Sequence, residues 1–265
     1  MTTDAVLDLA YAGDGRVLVL TMQRPERMNA LNAELLSQLH DAITRFDADD
    51  SLRVAIITGA GGRAFSAGGD LKEMAERAGS GAMVFPTPQL EAMTPSLIER
   101  LSKPVIAAID GYCVAGGFEL ALACDIRLAT TSSQFGLPEV SRGMIAGPGL
   151  VSLRHNLALG EAMLLHLTGD SLSAERAYSL GLIQALVPTR DDLMRRAFEI
   201  ADRIASFEPS VVASIKSIVR TADRAATTAL APTIDERNAQ IGRSELVAGT
   251  VGQFASRSGR PDPGR

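Results

Sequence analysis

Cysteine and histidine are scarce in this chain, and long basic runs are missing. The two cysteines, Cys113 and Cys124, have no metal-type spacing and cannot build a disulfide framework. That predicts a reduced, cytoplasmic setting. The three histidines, His40, His155 and His166, stand beside no nucleophile motif. GxSxG, HExxH, CxxC and EF-hand patterns are all missing, so no metal site is expected. No Lys/Arg run exceeds two residues and the formal net charge is −5. The electrostatic footprint of a nucleic-acid binder is therefore lacking. The opening "MTTDAVLDLAYAGDG" has an early acid and no basic stretch, which predicts no secretory signal. Pro104 to Cys124 is about as long as a membrane-crossing helix, but it holds Asp110, Glu119 and three glycines. A buried core segment is the expectation there.

What is present suits one large domain, or one with a small appendage: 265 residues, 46% of them hydrophobic. "RVLVLTMQRP" (16–25) alternates and reads as a strand. Residues 32–49 place Leu35, Leu36, Leu39, Ala42, Ile43 and Phe46 at helical spacing. "RVAIITG" (53–59) reads as a strand covered on both faces. Strand, helix, strand in that order predicts a right-handed crossover and an α/β core. Asp70 with Glu73 fits an N-cap and capping box, so a helix is expected from Asp70. Residues 79–96 read as an irregular, mobile loop whose end leads into a helix through Ile98 to Leu101. "PVIAAIDG" reads as a second buried strand, "GGFELALACD" as a helix, and "IRLATTSSQFGLPEV" as strand, turn and short strand. From about Gly160 the pattern is mostly helical, and the tail "SRSGRPDPGR" is expected to fray.

Residues 59–64, "GAGGRA", match a dinucleotide fingerprint after a strand. Such a site needs a helix to start inside the fingerprint and an acid about 20 residues on. Neither is expected here, which ranks a nicotinamide-dependent oxidoreductase last.

Two glycine pairs are more telling. Gly68-Gly69 and Gly116-Gly117 each follow a strand and each opens a helix. Backbone N–H groups at a helix start are free donors, and two such ends side by side could direct Gly69 and Gly116 at one oxygen. Glu119 falls in the first turn after Gly116, in apolar surroundings. Glu139 follows Pro138 at a strand end. Two carboxylates lining one cleft would raise at least one pKa and supply an acid/base pair. The bland alternatives are ordinary helix-entry glycines, a dipole-partner acid and a solvated turn acid.

At these residues the chain resembles the crotonase (enoyl-CoA hydratase/isomerase) superfamily. The matching stretches, in family order, are "RPERMNALN" (24–32), "RAFSAGGDLKEM" (63–74), residues 103–129, "FGLPEV" (135–140) and residues 167–188. The resemblance implies an α/β fold, a spiral of ββα units over residues 1–195 that carries the acyl-CoA site. It implies a helical oligomerisation region at 196–255, with 256–265 as a flexible tail. It implies a lyase, an enoyl-CoA hydratase of fatty-acid or related metabolism acting on an acyl-CoA thioester, and a homotrimer or homohexamer. No cofactor is expected; coenzyme A arrives as part of the substrate. By position, Gly69 and Gly116 would donate to the thioester oxygen, and Glu119 and Glu139 would be the hydratase glutamates. Arg27 and Met28 would lie near the CoA nucleotide, and Ala67, Asp70, Leu71 and Lys72 along the pantetheine and adenine path. After Glu139 the chain departs from the family's G-x-x-P-x-x-G-G run, reading "SRGMIAGPGLVSLRHNLALG", and the loop 79–94 is individual. Both segments bear on the acyl pocket. A double-bond isomerase, another acyl-CoA enzyme of the superfamily and a non-catalytic acyl-CoA binder stay open.

Overall fold

A computed structural model describes residues 6–79, 95–147 and 149–241. Ten strands form two sheets among the described residues. The larger is ordered β1 (Leu7–Ala12), β2 (Val17–Met22), β3 (Val54–Gly59), β5 (Val105–Ile109), β7 (Ile126–Thr130), β10 (Ala185–Val187). β1 pairs antiparallel with β2; the other neighbours are parallel. The smaller sheet is ordered β4 (Ala64–Ser66), β6 (Tyr112–Val114), β8 (Gln134–Gly136), β9 (Leu172–Ser173), with β4, β6 and β8 mutually parallel and β9 antiparallel. Each long strand β3, β5 and β7 thus hands the chain to a short strand, and each short strand leads to a helix or helical turn. This is the expected α/β spiral of ββα units.

The continuous apolar runs of β2, β3 and β5 divide by the period of two that a strand imposes. Leu18, Leu20, Met22, Ala55, Ile57, Val105, Ala107 and Ile109 face one core, while Val17, Val19, Val54, Ile56, Ile106 and Ala108 face another. The first core is closed by α1 (Ala33–Ala48), whose buried stripe is Leu35, Leu39, Ala42, Ile43 and Phe46. Asn32 caps that helix by accepting the Leu35 N–H. The second core is closed by α8 (Arg190–Ala205). Its Leu193, Ala197, Ala201 and Ala205 repeat every four residues, and the three alanines let the helix lie close to the sheet. Residue 195, the expected domain boundary, lies inside α8. The tail 256–265 is outside the described residues.

The remaining helices are α2 (Leu71–Gly79), α3 (Pro95–Arg100), α4 (Gly116–Ala123), α5 (Gly149–Asn156), α6 (Leu159–Thr168), α7 (Ala174–Ser179) and α9 (Pro209–Ile241). The sequence reading missed β1, β4, β6, β9, β10 and α5, all short or weakly patterned. The loop expected at 79–94 lies almost wholly outside the described residues. One cap also differs. Asp70 accepts from the Lys72 and Glu73 N–H groups as an N-cap should. Glu73 does not complete the box, because its carboxylate takes the Ala33 N–H at 3.1 Å while the Asp70 N–H bonds Leu31 O.

Long helix α9 is anchored at one buried charge cluster. Lys216 Nζ donates to Asp125 Oδ2 at 2.7 Å and to Lys103 O at 2.8 Å. Arg220 donates to Asp125 Oδ1 at 3.0 Å and to Ala123 O, at the end of α4, at 2.8 Å. Asp125 in turn accepts the Val105 N–H. Removing both cations strands a partly buried carboxylate, a change that costs about 3–5 kcal/mol in comparable sites. Lys216→Ala with Arg220→Ala should lower the urea unfolding midpoint accordingly. Replacing Asp125 by Asn as well should recover part of the loss.

Candidate active site

Three adjacent parallel strands, β4, β6 and β8, end at the same edge of the small sheet, where ligands of parallel α/β sheets characteristically bind. Beyond β4 come Gly68, Gly69 and α2. Beyond β6 come Ala115, Gly116 and α4, with Glu119 in its first turn. Beyond β8 comes a 3-10 turn, Pro138–Arg142, that carries Glu139. Neighbouring strands lie about 4.8 Å apart, so the pairing alone sets these three chain segments side by side. The Ala115 N–H donates to Gly136 O at 2.9 Å and ties the entry of α4 to the end of β8.

The two glycine pairs meet. A Cβ on Gly116 would sit 3.7 Å from the Gly69 nitrogen and 3.8 Å from the Gly68 Cα. Gly68 has φ +87°, and a Cβ there would come within 2.5 Å of the Ala115 Cβ. Ala115 itself sits at φ 52°, ψ −135°, a conformation that costs a non-glycine residue about 1–3 kcal/mol. Neither the Gly69 nor the Gly116 N–H has an acceptor among the described residues. Gly69 is exposed and Gly116 half-buried.

The loop that carries Gly69 is fastened from outside by residues 24–31. Ala67 N–H donates to Met28 O at 3.0 Å, and Leu31 N–H to Gly68 O at 2.8 Å. Arg24 bonds Asp70 Oδ2 at 2.9 Å and also reaches Ala30 O. Met28 and Asn29 both have positive φ. Buried Asn29 holds that turn by donating to Ala60 O and Ala64 O and accepting the Arg24 N–H. Arg27, Met28, Ala67, Asp70, Leu71 and Lys72 are thereby brought to one flank of the Gly69 N–H. Arg27 and Lys72 are exposed, whereas the Asp70 carboxylate is committed to Arg24 and to capping α2.

The carboxylates lie deeper. Glu119 Oε1 accepts the Gly149 N–H at 2.8 Å. Burial raises the Glu119 pKa to about 7, the nearby charge of Glu139 adds to the rise, and the N–H groups of Gly149 and Gly147 oppose it. A Cβ on Gly149 would stand 2.9 Å from Oε1 and 3.0 Å from Cγ of Glu119, so this approach requires glycine. Burial also raises Glu139, against the pull of its own N–H and the Arg142 cation. Glu139 Oε2 is buried with no hydrogen-bond partner among the described residues. A buried carboxylate oxygen with no partner in the protein is suited to hold a water or a substrate proton.

Sequence reasoning did not find Gly147, Gly149, Asn29, Arg24 or Arg142. Asn29 and Arg24 lie inside a stretch quoted for its resemblance, and "GPG" at 147–149 was a visible turn signal. The fingerprint-like "GAGGRA" is a connection from β3 to β4 with no helix inside it, which removes the basis of the dinucleotide reading.

A family model described as enoyl-CoA hydratase/isomerase matches residues 13–253. The chain is 36% identical over 207 residues to the short-chain-enoyl-CoA hydratase of Clostridium acetobutylicum, covering 78% of each. It is 36% identical over 214 residues to the 2,3-dehydroadipyl-CoA hydratase of Escherichia coli, covering 80% of this chain and 82% of that one. Among solved structures, a carnitinyl-CoA dehydratase from Mycobacterium avium 104 superposes with TM-score 0.84 at 31% identity, covering 95% of this chain and 98% of that one.

The raised Glu119 pKa has a consequence for stability. A carboxyl that moves from 4.5 to about 7 on folding binds its proton more tightly in the folded state. Stability then falls as pH rises between those values, and the full penalty applies above about 7. Glu119→Gln removes it. The variant should gain up to about 3 kcal/mol at pH 8, with the gain shrinking towards zero as the pH approaches 4.5. Denaturant midpoints across that range measure it.

Proposed function

The chain belongs to the enoyl-CoA hydratase/isomerase family, and from that premise we propose that it is a lyase that hydrates 2-enoyl-CoA thioesters to 3-hydroxyacyl-CoA. One observation carries the reading furthest. Two buried carboxylates, Glu119 and Glu139, the charge of the second acting on the first, stand beside two adjoining N–H groups with no acceptor among the described residues. Isomerisation can proceed with one carboxylate; adding water uses two.

In this reading the thioester oxygen lies between the N–H groups of Gly69 and Gly116. Water is held by Glu119 and Glu139. Glu139 takes a proton as the water oxygen bonds to C3, and the C2–C3 electron pair moves toward the carbonyl. The enolate-like charge falls on the oxygen between the two donors, which need no reorganisation to receive it. Glu139 then returns a proton to C2. Glu119 orients the water and shares the acid/base work. Arg27, Met28, Ala67, Leu71 and Lys72 take the coenzyme A portion, the exposed cations suiting its phosphates. Asp70 keeps its place on this path with its carboxylate held by Arg24. The chemistry as written calls on no further cofactor. We assign the protein to acyl-CoA metabolism of the β-oxidation type and to the cytoplasm, the location being in keeping with two free, buried cysteines. No helix among the described residues is long and apolar enough to cross a membrane.

Self-association as a trimer or a pair of trimers belongs to the same proposal. Met163, Leu164 and Leu167 of α6 and Ile215, Ile218 and Val219 of α9 are all exposed, more large apolar side chains than a helix usually leaves to water. Leu164→Glu with Ile218→Glu should give a monomer by light scattering; an unchanged assembly would remove these faces from the interface.

Glu139→Gln should lower the rate of crotonyl-CoA hydration by about 10²–10⁴-fold, with thioester binding retained. Product analysis on 2-enoyl-CoA and 3-enoyl-CoA separates the alternatives. Double-bond migration without hydration would make the chain an isomerase, and tight binding with no turnover would make it an acyl-CoA binder.

A further inference from the structure

The two carboxylates do not sit in equivalent fields. The turn that carries Glu139 is a 3-10 helix, Pro138–Arg142. With three residues per turn, side chains at i and i+3 eclipse, which puts Glu139 and Arg142 on one face of the turn. The Arg142 side chain turns inward, with its Nε shielded from solvent, in the segment where the chain departs from its family's pattern. Helix α6 packs over the same turn. Its titratable residues there are Glu161, committed to Arg176, and His166, hydrogen-bonded to the Leu150 backbone and disfavoured as a cation by burial. From α4 comes Glu119, a like charge. Among the described residues Arg142 is therefore the cation acting on Glu139. Among the described residues no cation acts on Glu119; the N–H groups of Gly149 and Gly147 oppose burial and the Glu139 charge there.

We propose that Arg142 is a positioning residue that keeps Glu139 the charged member of the pair, so that Glu139 accepts the proton from water while Glu119 carries one. A carboxylate dyad of like environments shares its charge between two microstates. An acid and a base emerge when their surroundings are made unequal. Here the asymmetry comes from a cation one 3-10 turn beyond one of the two.

The inference rests on the hydratase reading for the reaction that it serves, but its first consequence needs no turnover. In protein labelled with 13C at the glutamate carboxyl, the Glu139 signal is assigned by its loss in Glu139→Gln. Arg142→Gln should move the Glu139 titration midpoint to higher pH, and Arg142→Lys should return it towards wild type. The acidic limb of kcat/KM should move with it, leaving activity above that limb much less affected. Arg142→Met, which keeps the aliphatic stem, replaces the Gln variant if that one does not fold. A Glu139 midpoint unchanged on losing the cation, with activity reduced equally at every pH, would overturn the proposal. A displaced midpoint in a protein that hydrates no enoyl-CoA would uphold the electrostatic role of Arg142 and sink the hydratase reading instead.

Discussion

The hydrogen bonds that pair β4, β6 and β8 in parallel set where every proposed reacting group stands. Each strand is three residues long, so none would hold its place alone. Pairing aligns Ser66 with Cys113, and Val114 with Gly136. The chain that leaves each strand then emerges at one edge, carrying Gly69, Gly116 with Glu119, and Glu139 in a row. The long strands β3, β5 and β7 supply the rigidity, because both their faces are sealed in core. The short sheet inherits its order from theirs, since each long strand feeds the short strand that follows it.

Burial then gives the row its chemistry. The staple from residues 24–31 bonds the neighbouring groups at Ala67, Gly68 and Asp70 and leaves the Gly69 N–H without an acceptor among the described residues. Ala115 carries a strained backbone at the matching point just beyond β6. Two carboxylates in apolar surroundings would ordinarily both be neutral. Backbone N–H groups from 147 and 149 at one, and the Arg142 cation near the other, offset part of that cost by different physical means. The site is thus a set of local rules broken together within a scaffold that obeys them.

Much of this was legible in the residues. Helical spacing announced α1, alternation β2, and continuous apolar runs β3 and β5. Gly116, Gly117 and Glu119 were visible as anomalies in a core-like run, while Gly68-Gly69 stood out as a second helix-opening pair and Glu139 as an acid leaving a strand end. What stayed hidden had a common cause. β4, β6 and β9 are two or three residues long, too short for any period to register. Gly149 looks like a turn glycine until Glu119, thirty residues earlier, is placed against it. Glu73 had the spacing of a capping box, but a tertiary donor, the Ala33 N–H, claimed its carboxylate. Asn29 acts on Ala60 and Ala64, partners more than thirty residues away that sequence order does not reveal.

The convergence of two backbone donors on one substrate oxygen is the claim on which the functional account stands, and a bound thioester reports on it directly. Difference Raman spectroscopy of crotonyl-CoA bound to the Glu139→Gln variant reads the carbonyl stretch without turnover. Polarisation by the Gly69 and Gly116 N–H groups should move that band to lower frequency than in free crotonyl-CoA. A bound thioester whose carbonyl band matches that of the free molecule would contradict the account.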